Sequence, residues 1–231
     1  MMARKKIVFV IVEGPSDDEA LGLMLNKIYD SAEVFVHITH GDITTQAKPE
    51  NILSKIGGIV RGYAKSNHFT AKNFQEIIHI VDTDGAYIPD DAVKEDMSAD
   101  RPIYSLTEIR TKNVAGIQQR NATKSSCLDK ISSVKAVWNI PYQVYYMSCN
   151  LEHVLHNEMN LTDSEKEKLA FEFAKKYSEN LSVFVEYISC SPFSVAGDYL
   201  QTWQYIRDGL HSLERHTNLG ICLKLAHAKS L

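Results

Sequence analysis

Six consecutive apolar residues, Ile7 to Val12, run into Glu13-Gly14-Pro15, and this junction constrains the fold of the 231-residue chain more than any other feature. A strand with one wet face alternates apolar and polar side chains. This run does not alternate, so both of its faces need cover, as in a parallel sheet between helices. Gly14-Pro15 breaks the strand. Ser16 with Glu19 three residues later reads as a capping box, opening a helix through Leu21, Met24, Leu25 and Ile28. The basic start, Met1 to Arg4 with Lys5 and Lys6, is not expected to be a secretory signal. The apolar run after it is too short, has no small-residue cleavage site and ends in an acid.

Three further strands are expected at Val34–Ile38, Ile77–Val81 and Gln143–Met147, with a short one at Pro102–Leu106. Helices are expected over 49–65, where Gly57-Gly58 weakens the pattern, and over 113–134. Strands alternating with helices predict an α/β fold, a mainly parallel sheet flanked by helices. From about residue 158 the apolar spacing becomes helical throughout. Thr162 and Glu165 form a second capping box, and a long helix follows through Leu169, Phe173, Tyr177, Leu181, Phe184 and Ile188. Pro192 interrupts, and Asp198–Leu213 is a further helix. The expected division is an α/β domain over 1–157 and a helical extension over 158–231 packed on it.

With 44% apolar and 23% charged residues the composition is that of an ordinary globular protein. No apolar run approaches the ~18–20 residues that span a bilayer, so no membrane association is expected. The cysteines Cys127, Cys149, Cys190 and Cys222 form no CxxC pair. That excludes a zinc ribbon and suits reduced thiols in the cytoplasm. His153 and His156 could share a helix face, but two histidines at that spacing are more often packing than ligands.

In an open parallel sheet, ligands bind outside the carboxyl ends of the strands. Glu13 stands at the end of the first strand, and Asp82 and Asp84 at the end of the third. Asp-Gly is also a routine turn signal, so Asp84-Gly85 alone means little. Acids from two strand ends mean more. Clustered carboxylates repel unless a cation neutralises them, and Mg²⁺ or Mn²⁺ suits hard oxygen ligands. A net charge of −4 does not announce a polyanion partner. Its distribution is uneven: residues 101–136 carry seven basic residues against Glu108 and Asp129. Within that segment Arg101, Arg110, Lys112, Arg120 and Lys124 are candidate nucleic-acid contacts, with a plain solvated face as the alternative.

Ile11-Val12-Glu13-Gly14-Pro15-Ser16-Asp17 resembles the first motif of Toprim domains, and Ile80-Val81-Asp82-Thr83-Asp84 resembles their Asp-x-Asp motif. The resemblance covers roughly residues 5–157, with an insertion at about 86–136. It is closest to stand-alone prokaryotic Toprim proteins and the overcoming-lysogenization-defect (OLD) family of nucleases. It implies Glu13, Asp82 and Asp84 as catalytic, metal-binding carboxylates. Ser148-Cys149-Asn150-Leu151-Glu152 looks like a third acidic motif of such proteins, which implies Glu152 as a further ligand. Asp17, four residues after Glu13, resembles the second acid of some OLD-type sites.

The implied activity is Mg²⁺- or Mn²⁺-dependent hydrolysis of phosphodiester bonds in DNA or RNA. A separate ATPase chain or a second copy of this chain is the implied protein partner, since no P-loop is present. Two alternatives stand beside the nuclease. One is a non-catalytic Toprim-like module that binds nucleic acid or protein. The other is a nucleotide-sugar transferase, in which Glu13-Gly14 has no evident role.

Overall fold

The computed structural model describes residues 6–29, 32–39 and 42–230, and the side chains up to 226. The basic start from Met1 to Lys5 lies outside the described residues. Five strands form the main sheet: β1 (Ile7–Val12), β2 (Glu33–Ile38), β3 (Phe74–Asp82), β8 (Ile140–Met147) and the short β7 (Ala136–Val137). Their order is β2-β1-β3-β8-β7. β1 pairs in parallel with both β2 and β3, β3 pairs in parallel with β8, and only β7 is antiparallel.

The uninterrupted apolar run of β1 is explained by two cores. Val8, Val10 and Val12 face one, shared with helix α1 (Pro15–Ile28) and with α6 (Asp163–Tyr177), α7 (Leu181–Cys190) and α9 (Leu219–Ser230). Ile7, Phe9 and Ile11 face the other, shared with α3 (Ile52–Ser66), α4 (Val114–Ser132) and Trp203 of α8 (Tyr199–Ile206). The sheet is thus an α/β sandwich with helices on both faces.

Strand order fixes where a ligand can enter. From β1 the chain passes through α1 to β2 on one side, then through the short α2 (Ile43–Gln46) and α3 to β3 on the other. Right-handed crossovers in opposite directions put α1 and α3 on opposite faces. They leave a crevice at the carboxyl ends of β1 and β3, the topological switch point.

The segment after β3 builds a small second sheet, β4 (Val93–Glu95), β5 (Ile103–Tyr104) and β6 (Ile109–Thr111), in the order β4-β6-β5. Ile88, Val93, Ile109 and Ile117 pack there with Leu213 from the far end of the chain. β5 is the remnant of the strand expected at Pro102–Leu106.

Several elements depart from the sequence pattern. The first helix is capped two residues earlier than Ser16 and Glu19 suggest: Gly14 is its N-cap, Pro15 its first residue, and the Asp17 carboxylate accepts the Gly14 N–H at 2.7 Å. The long helix from Thr162 divides at Asn180, whose side chain accepts the Val183 N–H and caps α7. The helix from Asp198 stops at Ile206, before Gly209 with φ 53°. α5 (Leu151–His156) ends on Asn157 in the left-handed conformation, just where the helical third of the chain begins.

Gly85 follows the end of β3 with φ +68°, and a Cβ there would lie 2.7 Å from Leu213 Cδ2 and 3.1 Å from Ile109 Cδ1. Backbone strain and contact with the third core act together. Gly85→Ala should therefore cost about 1–3 kcal/mol, read as a lower denaturant midpoint with an unchanged m-value.

Candidate functional site

The acids of the switch point arrive on four separate pieces of chain. Glu13 follows β1, Asp42 follows β2, Asp82 ends β3 with Asp84 two residues on, and Glu152 lies in the first turn of α5 after β8. Asp17 projects from the first turn of α1. Glu13, Asp17, Asp42, Asp82 and Glu152 line one cavity of about 400 Å³. Among the described residues, seven acidic side chains line it, with Lys166 of α6 as the one basic residue. A second cavity of about 250 Å³ shares Asp82, Asp163 and Lys166 with the first and is bounded by Asp84, Arg101, Tyr104 and Asn150.

Backbone hydrogen bonds hold the acids in place. Glu13 Oε1 accepts the Asp82 N–H at 3.2 Å, tying the ends of β1 and β3 together. The Asp84 and Cys149 backbones both have positive φ, and the Asp84 N–H donates to the Cys149 carbonyl at 2.9 Å. Thr83, fully buried between them, donates to the Ser212 carbonyl at 2.8 Å and accepts the Cys149 N–H at 2.9 Å. The Cys149 N–H also reaches the Ser212 carbonyl at 2.9 Å. A residue near the far end of the chain therefore fixes the loops carrying Asp84 and Glu152.

Two lysines share the charge of the site. Lys124, with no exposed surface, donates to Asp84 Oδ2 and, at 2.8 Å, to Asp42 Oδ2; its Nζ lies 3.9 Å from Glu13 Oε1. Lys166 lies 3.4 Å from Glu152 Oε2 and keeps about a third of its side chain exposed. Burial disfavours the charge of Lys124, but Asp84, Glu13 and Asp42 together hold its pKa well above the ordinary value. The same pairing reverses the burial effect at Asp42, whose carboxyl stays below its usual range.

The other carboxyls move the opposite way. Burial pushes Glu13 well above the usual range; Lys124 opposes this, while Asp42, Asp84 and Asp17 add to it. At Asp82 burial is reinforced by Glu13, Asp17, Asp84 and Glu152. Asp17 is pushed up to about 7, by burial first, against its hydrogen bond from Gly14 and with Glu152 adding.

The donor set is made of carboxylates, the hard oxygen chemistry that suits Mg²⁺ or Mn²⁺, and acids outnumber cations, so such an ion fits the residues present. Among the described residues, no three His, Cys, Asp or Glu side chains are gathered into a ready-made metal cage.

The basic segment differs from expectation. Lys124 is a correction: it is buried among acids and cannot meet a polyanion. Arg120 is also turned inward, with its guanidinium donating to the Asp84 carbonyl at 2.8 Å, to Asn121 Oδ1 at 2.7 Å and to the Tyr104 hydroxyl at 2.6 Å. Arg110 pairs with Glu108 and Lys112 with Asp100, both on the exposed small sheet. Arg101 alone of the five borders the second cavity, where it donates to the Asn160 and Leu161 carbonyls. His153 is buried, and burial lowers its pKa to about 4. A further cavity of about 420 Å³, lined by Pro141, Tyr142 and Tyr199 near the start of β8, is mainly apolar and lies away from the acids.

Sequence reasoning missed Asp42, Lys166 and the inward direction of Lys124. Asp42 follows β2 as Glu13 follows β1, so the strand-end rule applied to every strand finds it. It also caps α2, accepting the Thr44 N–H at 2.7 Å.

The metal-free protein should gain stability as the pH falls from 8 to about 6.5. Carboxyls with raised folded pKa values, such as Asp17 at about 7 against an ordinary 3.8, destabilise the fold when ionised and cease to do so when protonated. Below about 6.5 the gain per pH unit shrinks, because buried His79 and His153, both lowered to about 4 from 6.5, bind protons only on unfolding. Chelator-treated protein melted across this range checks the shape. A melting temperature that rises steadily from pH 6.5 to 8 would contradict it.

No family model, curated protein or solved structure matches this chain.

Proposed function

We propose that this chain is a divalent-cation-dependent phosphodiesterase acting on DNA or RNA, a nuclease of Toprim-like design. One observation carries the reading: Glu13, Asp82 and Glu152, from the ends of three parallel strands, line one open cavity together with Asp17. Burial penalises the charge of Glu13, Asp82 and Asp17, and structural need does not account for so many acids facing a void. When bound there, Mg²⁺ or Mn²⁺ supplies Lewis-acid stabilisation of phosphate oxygens and a more acidic water.

The chain's own residues have separable parts in this reading. Glu13 and Asp82 hold the ion, with Asp17 and Glu152 at its edge. Asp17, raised to about 7 in the metal-free protein, loses its proton readily once a cation sits beside it. Lys166, about a third exposed where the two cavities meet, faces the phosphate. Arg101 lies on the same path and fixes the 160–161 turn beside it. Asp84 is bound to Lys124 and acts through it. The four cysteines are free thiols, and a cytoplasmic setting goes with this reading. Among the described residues no helix is long and apolar enough to cross a membrane.

A second reading, a non-catalytic module that binds nucleic acid or protein, draws support from Lys124, which already neutralises part of the cluster without a metal. Asp82→Asn separates the two. It removes a charge disfavoured by burial and by Glu13, Asp17, Asp84 and Glu152, with only Lys166 nearby to oppose them, so the metal-free melting temperature should stay equal or rise. Mg²⁺-dependent cleavage of single- and double-stranded DNA and RNA should fall at least about 100-fold, and the stabilisation by Mg²⁺ should vanish. Full cleavage by Asp82→Asn, or no cleavage by the natural chain with either Mg²⁺ or Mn²⁺, would overturn the nuclease assignment.

A further inference from the structure

Building on the metal-dependent reading above, we propose that Lys124 is a resident cation filling one of two cation places in the site, so that each chain takes up a single divalent ion, on the Glu13–Asp82 side. The carboxylates divide into two nests that share Glu13, with Asp42 on the border between them. In one nest the Lys124 ammonium lies against Asp42, Asp84 and Glu13. In the other, Asp82, Asp17 and Glu152 meet Glu13 around the 400 Å³ cavity, and Asp82 forms no ion pair with any described residue.

Three features make the first place permanently occupied. An ammonium has three N–H donors, and two of them are spent on Asp42 and Asp84. Lys124 has no exposed surface and extends from the buried face of α4, between Asn121 and Leu128, so it has no route to water. Its partners are themselves fixed. Asp42 Oδ1 accepts the Thr44 N–H at 2.7 Å, and the Asp84 backbone is held at both ends, by the Cys149 carbonyl and the Arg120 guanidinium.

A divalent ion entering that nest would bind oxygen at ~2.1 Å, inside the space the ammonium fills. It would also strand a buried charge. Where phosphoryl-transfer sites hold two metals, the ions lie about 3.5–4 Å apart and share a carboxylate. Here Glu13 is the shared carboxylate, with a lysine on one side and the open cavity on the other. Lys124 is therefore a positioning residue that sets how many ions the site accepts, and Asp42 and Asp84 serve the lysine.

Counting bound Mn²⁺ on the full chain, by equilibrium dialysis with electron paramagnetic resonance of the free ion, tests this. One ion per chain is expected for the natural protein and for Asp84→Asn, and none for Asp82→Asn. Lys124→Ala, which vacates the place, should bind two. Melting of the metal-free forms gives a second readout: Asp84→Asn, which strips Lys124 of a partner, should lower the melting temperature, whereas Asp82→Asn should not. Two ions on the natural chain would overturn the inference and leave the metal-dependent reading standing. An Asp84→Asn chain that loses its ion would do the same. No uptake by the natural chain would remove both. If Lys124→Ala does not fold, the counts on the other three chains decide.

Discussion

A fully buried ammonium among three carboxylates links parts of the chain that secondary structure alone would leave independent. Lys124 belongs to α4, which follows the small second sheet, yet its partners follow β1, β2 and β3. Removing one partner from such an internal pairing typically costs about 3–5 kcal/mol, because a charge is left without compensation. The placement of α4 against the sheet is therefore set by charge as well as by Cys127, Leu128 and Ile131 in the apolar core. The segment from 86 to 136 is thus part of the site's architecture.

The position of that pairing follows from the sheet order. Parallel strands deliver their carboxyl ends to one edge, and the reversal between β2 and β3 opens a gap there. Side chains that follow those strands have to share it. Burial, and the acids around them, push Glu13, Asp82 and Asp17 upward, and the molecule answers with two different lysines. Lys124 is sealed behind the cluster, and Lys166 stands at its mouth. The first neutralises without being seen by solvent; the second stays accessible to a ligand.

Much of the framework was legible before any coordinates. The unbroken Ile7–Val12 run implied cover on both faces, and its alternate residues enter two separate cores. Strand-end acids at Glu13 and Asp82 followed from the same pattern, and both line the cavity. The errors have specific causes. Lys124 was grouped with its basic neighbours, although its spacing with Ile117, Asn121, Leu128 and Ile131 places it on the buried face of α4. Local charge density dominated that view, while helical periodicity carried the answer. The capping signal at Ser16 and Glu19 lost to Gly14 and Asp17 because Pro15 is favoured in the first helical position. Long-range hydrogen bonds, such as those to the Ser212 carbonyl, leave no trace in local sequence.

That carbonyl has a bearing on how the molecule is made. Thr83 and Ser212 are 129 residues apart in the chain, yet their hydrogen bond and the neighbouring one from Cys149 set the loops of Asp84 and Glu152. Contacts so distant in sequence form late, because the intervening loop must close first. During synthesis β1, β3 and α4 leave the ribosome long before Ser212 does. A nascent chain therefore carries the acids without the clamp that orders them, and the cleft takes its final shape only when the last helices have docked.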